Sequence, residues 1–148
     1  RADIARELNK EKITWAIGAS LMLYLRGIVT QFHDIDIMVA ECDAERAEQA
    51  ICRIGKEQPR NGTAQYKTRY FIEFTVDGVD VDLMAGFVIV LDGTDHECPL
   101  LPEDITETRI VNGENVPLHS AARWAEYYRL MGRDAKAGMV KEWIDRAV

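Results

Sequence analysis

The sequence predicts a single α/β domain (α+β, with a mixed sheet) that carries a pair of helices at its C-terminal end. Three observations lead there. The chain has 148 residues, which suits one domain and is enough to bury a core without disulfides or a structural metal. Short β-prone runs alternate with amphipathic helical ones through the first half, the pattern of a layered α/β unit. Two Asx-Gly dipeptides, Asp77-Gly78 and Asn112-Gly113, each lie between β-rich runs, where a two-residue hairpin turn needs positive φ. With no repeat, linker or low-complexity tract, the expected layout is one domain over 1–148. Its core is expected over about 13–118 and its terminal helices over about 119–147.

The elements follow in order. Ile4, Ala5, Leu8 and Ile13 recur at roughly helical spacing, so the first dozen residues read as a helix. Residues 14–17 (T-W-A-I) form a short β-prone run stopped by Gly18. Residues 19–25 favour helix, which Gly27 ends. The run D-I-D-I-M-V-A over 34–40 is the strongest strand signal of the first half. Asp43 is placed to cap a helix over 44–54 that Gly55 closes. Residues 67–76 and 79–87 read as the arms of the Asp77-Gly78 hairpin, with 87–91 able to prolong the second arm. Residues 92–108, rich in Pro, Asp, Glu and Gly, read as a loop. The weaker hairpin candidate pairs 109–111 with 116–118. A helix over 119–131 carries Trp124, Tyr127 and Tyr128 at i, i+3, i+4, the spacing of a packing face, and another follows Gly132 over 134–147.

The net charge of −7 removes the electrostatic footprint of a general nucleic-acid binder, because neutralising phosphates takes clustered Lys and Arg. Small-molecule substrates or cations suit such a surface better. Cys42, Cys52 and Cys98 are odd in number and lack a C-x-x-C spacing, so they read as free thiols in a reducing cytoplasm. No run approaches the ~20 apolar residues of a membrane helix. Residues 1–12 are charged and amphipathic, unlike a signal peptide, and the absent initiator Met leaves room for residues upstream.

On a strand, Asp34 and Asp36 share a face while Ile35 and Ile37 face the core. Two adjacent carboxylates repel, and a hard divalent cation such as Mg²⁺ is their natural partner. A solvated strand face is the plain alternative, and the pair alone does not decide between them. Asp80 and Asp82 repeat the spacing on the second hairpin arm. Asp80 reads as a solvated residue near the turn. Asp82 runs into the apolar Leu83-Met84, an odd place for an idle charge. A third carboxylate beside the first two would complete a two-metal site for displacement at phosphorus. Gly18-Ala19-Ser20, between a strand and a helix, would let backbone N–H groups approach phosphate oxygens.

Taken together, G-A-S at 18–20, D-I-D-I at 34–37 and V-D-L at 81–83 resemble the signature of the DNA polymerase β-type nucleotidyltransferases. The stretches W-A-I-G-A-S-L-M-L-Y-L-R-G and H-D-I-D-I-M-V, and the tail from V-N-G-E-N-V-P-L-H to M-G-R, are similar to the small single-domain members. Those are the minimal and the lincosamide-type antibiotic nucleotidyltransferases. The resemblance spans about residues 13–145 and implies the nucleotidyltransferase fold with a C-terminal helical pair. It implies that Asp34 and Asp36 bind two Mg²⁺ ions and, through them, a triphosphate. Asp82 would hold one metal and help activate an acceptor hydroxyl, and Gly18 and Ser20 would cradle the phosphates. The reaction implied is attack on the α-phosphate of a nucleoside triphosphate, ATP as first expectation, with release of pyrophosphate. The usual turn is Gly-Ser or Gly-Gly, so Ala19 leaves open which residue supplies the hydroxyl contact.

Arg26 and Arg133 are candidate triphosphate contacts, because Arg matches phosphate geometry. Helix capping or plain surface charge is the slightly favoured reading of each. Lys136 and Lys141 read as solvated, His33 as a polar loop residue, and His96-Glu97-Cys98 as loop without zinc-site spacing. A haloacid-dehalogenase phosphatase is disfavoured because 28–33 is not the hydrophobic strand it requires. A D-x-D glycosyltransferase is disfavoured by length. From another class, a non-catalytic binding or regulatory protein such as a toxin–antitoxin partner could keep the fold. The acceptor is not legible, and a domain this small leaves room for a homodimer.

Overall fold

The computed structural model describes residues 2–59 and 65–147. In chain order the elements are α1 (Ala2–Lys10), β1 (Trp15–Gly18), α2 (Ala19–Leu25), β2 (Ile35–Val39), α3 (Ala44–Cys52), β3 (Lys56–Glu57), β4 (Tyr70–Val76) and β5 (Val79–Ala85). Then come β6 (Phe87–Leu91), β7 (Thr94–Cys98), β8 (Ile105–Val111), β9 (Glu114–His119), α4 (Ala121–Leu130) and α5 (Asp134–Arg146). Seven strands form one sheet in the order β3-β4-β5-β2-β1-β9-β8, and β6 and β7 form a second small sheet. In the large sheet β2 runs parallel to β5 and β1 parallel to β9, while the other pairs are antiparallel. The expected mixed α/β architecture is therefore the one observed.

Alternation along the central strands divides the sheet into two faces. Ile35, Ile37 and Val39 on β2 and Val81, Leu83 and Ala85 on β5 are buried on the side where α1 and α3 pack. Asp36 and Asp82 take the intervening positions and face the other way. On that second face Trp124 of α4 lies over Gly18 and, with Phe87 of β6, lines a cleft shared with Asp36 and Asp82.

Three hairpins turn on two-residue Asx-Gly loops in which both residues have positive φ: Asp77-Gly78 (51°, 76°), Asp92-Gly93 (50°, 77°) and Asn112-Gly113 (49°, 80°). The first and third were expected. The second corrects the sequence reading, which made 92–108 a loop: 94–98 pairs with β6 and Ile105 already begins β8. The strand was hidden because T-D-H-E-C is polar and only its Cys98 end is buried. Nor does β5 continue into β6. Gly86, at φ 61°, turns the chain away, and residues 65–69 line up beside β6 through Val90 N–H to Gln65 O (2.8 Å) and Lys67 N–H to Val88 O (3.1 Å). Asp43 does not cap α3. Its carboxylate accepts from the Thr14 N–H (3.0 Å) and pairs with Arg46.

The C-terminal helices pack on one another. Ser120 caps α4 by accepting from the Arg123 N–H (3.2 Å). Trp124, Tyr127 and Tyr128 are all buried on its inner face, as their spacing predicted. Cys98 is buried while Cys42 and Cys52 are exposed, and all three are free thiols. No described helix is long and apolar enough to cross a membrane.

Candidate active site

Strand register builds the site. Gly18 on β1 lies opposite Asp36 on β2, Asp36 opposite Asp82 on β5, and Asp82 opposite Glu73 on β4. Residues directly opposite share a face, and neighbouring strands are about 4.8 Å apart. The result is a transverse row, glycine then three carboxylates, across the middle of the sheet. It forms one wall of a cleft of about 580 Å³, a size that suits a small-molecule substrate. The roof and the other wall come from Tyr66, Phe87, Trp124, Tyr128 and Arg133.

The carboxylates are held close without compensation. Burial first, then the charges of Asp82 and Asp34, push the Asp36 carboxyl well above the ordinary carboxylate range. Burial, followed by Asp34 and Glu73, pushes Asp82 up to about 6. The two lie opposite each other in register, and their mutual repulsion favours the protonated form of one of them. Asp34 stands just before β2, exposed and outside the cleft lining, and acts on the pair through its charge. Among the described residues no three carboxylate, His or Cys side chains are gathered closely enough to hold a metal ion as they stand. The chemistry of the donor set nevertheless fits a hard divalent cation, which would relieve the repulsion that shifts both carboxyls.

The turn at 18–20 has an unexpected construction. Gly18 has an ordinary φ of −114°, and its lack of a side chain serves packing. A Cβ there would lie 2.6 Å from Cζ2 of Trp124, whose ring is 2% exposed. Ala19 adopts the positive φ (49°), a strained conformation for a residue with a Cβ, and lines the cleft. Ser20 does not line it. Gly18→Ala is expected to cost about 1–3 kcal/mol, the range for overpacking, because the buried indole must move. Chemical denaturation and Trp fluorescence would report both effects, and unchanged stability with an unchanged spectrum would count against this packing.

Arg26 turns away from the cleft. Its guanidinium donates to the His119 carbonyl (2.7 Å) and to Thr106 Oγ1 (2.9 Å), tying α2 to β8 and β9. It does not line the cleft, so the structure gives it a framework role in place of the expected nucleotide contact. Arg133 does line the cleft. Several cleft residues were not singled out from sequence: Glu73, Tyr66, Thr68, Arg69 and the apolar Phe71, Met84, Phe87 and Met131. Glu73 had a readable signal. Counting back from the Asp77-Gly78 turn pairs residue 73 with residue 82. Tyr66 and Arg69 had none, since their place depends on the segment 65–69 leaving the β4 line for β6.

A mixed sheet carrying paired acids on its central parallel strands, with a small-residue turn at the end of the neighbouring strand, defines a nucleotidyltransferase-type site. Solved structures share the fold. A candidate nucleotidyltransferase of Thermotoga maritima superposes with a TM-score of 0.70 at 26% identity, over 97% of this chain and 89% of that one. The antibiotic-resistance factor ANT(2'')-Ia shares the fold in two structures. Its solution structure gives a TM-score of 0.58 at 15% identity, covering 98% and 89% of the two chains. Its complex with adenylyl-2''-tobramycin gives 0.57 at 13%, covering 99% and 95%. No curated protein matches the sequence. The profile of the aminoglycoside-2''-adenylyltransferase family matches residues 2–143, and the chain belongs to that family.

Proposed function

We propose that this chain moves a nucleoside monophosphate, AMP from ATP as first expectation, onto a hydroxyl of an amine-bearing small molecule and releases pyrophosphate. The observation that carries the reading is the half-buried, uncompensated pair Asp36 and Asp82, side by side on adjoining strands in a cleft of small-molecule size. Its membership in the family supports transfer to a hydroxyl acceptor.

The acceptor hydroxyl would approach over Asp82, at the end of the row away from the Gly18-Ala19 turn. Asp82 receives the hydroxyl proton, a role that suits a carboxylate raised to about 6. The acceptor oxygen bonds to the α-phosphorus as the bond from that phosphorus to the α–β bridging oxygen breaks, and pyrophosphate leaves. A divalent cation, Mg²⁺ by expectation, held by Asp36 and Asp82 with Asp34 beside them, would neutralise phosphate charge. Tyr66, Phe87, Trp124 and Tyr128 exclude water from the reacting centre. Glu73 forms no ion pair among the described residues and extends the negative wall beyond Asp82, which favours an acceptor bearing an ammonium group.

The direct test is incubation with ATP, Mg²⁺ and a panel of aminoglycosides, following pyrophosphate release and a gain of one AMP in acceptor mass. Pyrophosphate release that depends on both acceptor and metal supports the reading. A well-folded protein that binds no nucleotide in the presence of Mg²⁺ would favour the non-catalytic alternative.

A further inference from the structure

Strand β8 leaves the large sheet with one open edge of full length. It is the last strand in the order, and the strand at the opposite edge, β3, has only two residues. Val111 and Glu114 flank the two-residue Asn112-Gly113 turn and so exchange hydrogen bonds. Alternation makes Arg109 and Val116 the next bonded pair, and leaves Ile110–Asn115 and Thr108–Pro117 as the unbonded ones. Pro117, with no N–H to give β8, suits its place. The N–H and C=O groups of Thr108 and Ile110 therefore point out of the sheet, where no described main-chain group meets them. Long open edges are ordinarily blunted by Lys, Pro or a bulge. From Glu107 to Val111 this edge carries no Lys or Pro, and its register shift lies at the Ile105 end. Thr106, Thr108 and Ile110 form an exposed row, Ile110 at 74%, while Glu107, Arg109 and Val111 are half-buried.

We infer that β8 is the interface for a second copy of this chain, paired antiparallel across a two-fold axis at Thr108. Thr108 is the middle residue of β8, so this register alone overlaps the two strands along their whole length. Both copies of Thr108 present N–H and C=O outward, and they exchange hydrogen bonds on the axis. Glu107 then falls opposite Arg109 of the second copy, at an unbonded pair, where facing side chains come closest. Moving the axis one residue, to Arg109, would set that arginine against itself and put the outward groups out of phase. Charge and hydrogen-bond phase thus select the same register, in which Thr106 of the second copy lies against Ile110. The edge is ordered before it pairs. Arg109 donates to the Leu25 carbonyl (2.7 Å) and to the Glu107 carboxylate, and Arg26 holds Thr106 Oγ1 (2.9 Å), so little side-chain freedom is lost on association. The two seven-stranded sheets become one continuous sheet. The acid row lies beyond β9 and β1 from this edge, so each copy keeps a whole cleft and the inference does not depend on the reaction.

Sedimentation velocity over about 1–300 µM protein tests it. Pairing along one strand buries little area, so half-association is expected on the order of 10 µM. Thr108→Lys and Thr108→Glu, at the exposed axis position, each set like charges face to face only in this register. Each variant should keep the wild-type circular dichroism spectrum and associate about tenfold more weakly. An equimolar mixture of the two should recover the wild-type association constant within about threefold, because Lys then faces Glu. Should either variant not fold, Ile110→Lys, at a still more exposed position, is expected to weaken association by about tenfold as well. Amide exchange at Thr108 and Ile110 should slow as wild-type concentration rises, and much less so in the single variants. The inference is overturned by a wild type that stays monomeric throughout that range, by single variants that associate as the wild type does, or by a mixture that associates no more strongly than its components.

Discussion

Asp82→Asn is expected to stop turnover and, at the same time, to make the protein more stable. The activity loss should be about 10³-fold in kcat, within the range for removing a group that accepts a proton in the transition state. The stability gain follows from the pKa. Asp82 is raised from the ordinary 3.8 to about 6 by burial and by the neighbouring carboxylates Asp34 and Glu73. The folded state therefore holds the proton more tightly than the unfolded state does. Between about pH 4 and 6 the folded form carries more protons, and stability falls as pH rises through that window. Above it the ionised side chain is a standing cost. The full shift corresponds to about 3 kcal/mol, which partial solvent exposure screens to about 1–2 kcal/mol. Asn keeps the shape and removes the charge, so the variant should melt about 3–6 °C higher at pH 7.5 and show no advantage near pH 4. Magnesium chloride should stabilise the wild type by relieving the same repulsion, and the variant much less. A variant that melts lower at pH 7.5 would show Asp82 to be part of the frame, and one with normal turnover would remove it from the chemistry.

The parts of this protein that local chemistry dictates were legible in the sequence, and those that depend on where a segment docks were not. The D-I-D-I run placed Asp36 on a strand because β-branched residues alternate with acids there. The Asp77-Gly78 turn fixed the register that brings Asp82 beside its neighbours. The aromatic spacing at 124, 127 and 128 announced the inner face of α4. Docking decided the rest. Gly18 looked like a place for close phosphate approach, yet its bare Cα makes room for Trp124, more than 100 residues later. Arg26 looked like a phosphate ligand, yet it is bound to the carbonyl of His119. Tyr66 and Arg69 reach the cleft because Gly86 turns β6 away from β5. Lys136 looked solvated because nothing in a run of K, A and G reveals the Tyr128 ring beneath it. Each of these is a contact between residues distant in sequence, on which periodicity and turn chemistry are silent.

His119 should make the protein sensitive to mild acid, in the sense opposite to Asp82. The imidazole is fully buried where β9 meets α4, and neither ring nitrogen has a hydrogen-bond partner. It is packed edge-on against the rings of Trp124 and Tyr127. Burial lowers its pKa from 6.5 to about 4; Asp104 and the nearby Ser120 backbone, which forms no well-aligned hydrogen bond with the ring, pull it up, and Arg123 and Arg26 push it further down. On acidification the unfolded chain takes up the proton first, so stability is complete above about pH 6.5 and is lost as pH falls toward 4. The shift corresponds to about 3 kcal/mol across that window, a sizeable share of the stability of a typical domain. The site carboxylates lean the other way over an overlapping range, which would partly mask the effect in the wild type alone. A comparison with His119→Leu isolates it. The substitution is nearly volume-conserving and forfeits no well-formed hydrogen bond, only the approach to the Ser120 backbone, so at pH 7.5 it should cost little, about 1 kcal/mol or less either way. Urea titrations from pH 7.5 to 4 should then show the variant overtaking the wild type by about 3 kcal/mol at the acid end. Parallel pH profiles would mean that the imidazole accepts its proton in the folded protein, and that the pocket formed by Trp124 and Tyr127 opens to water more readily than its packing indicates.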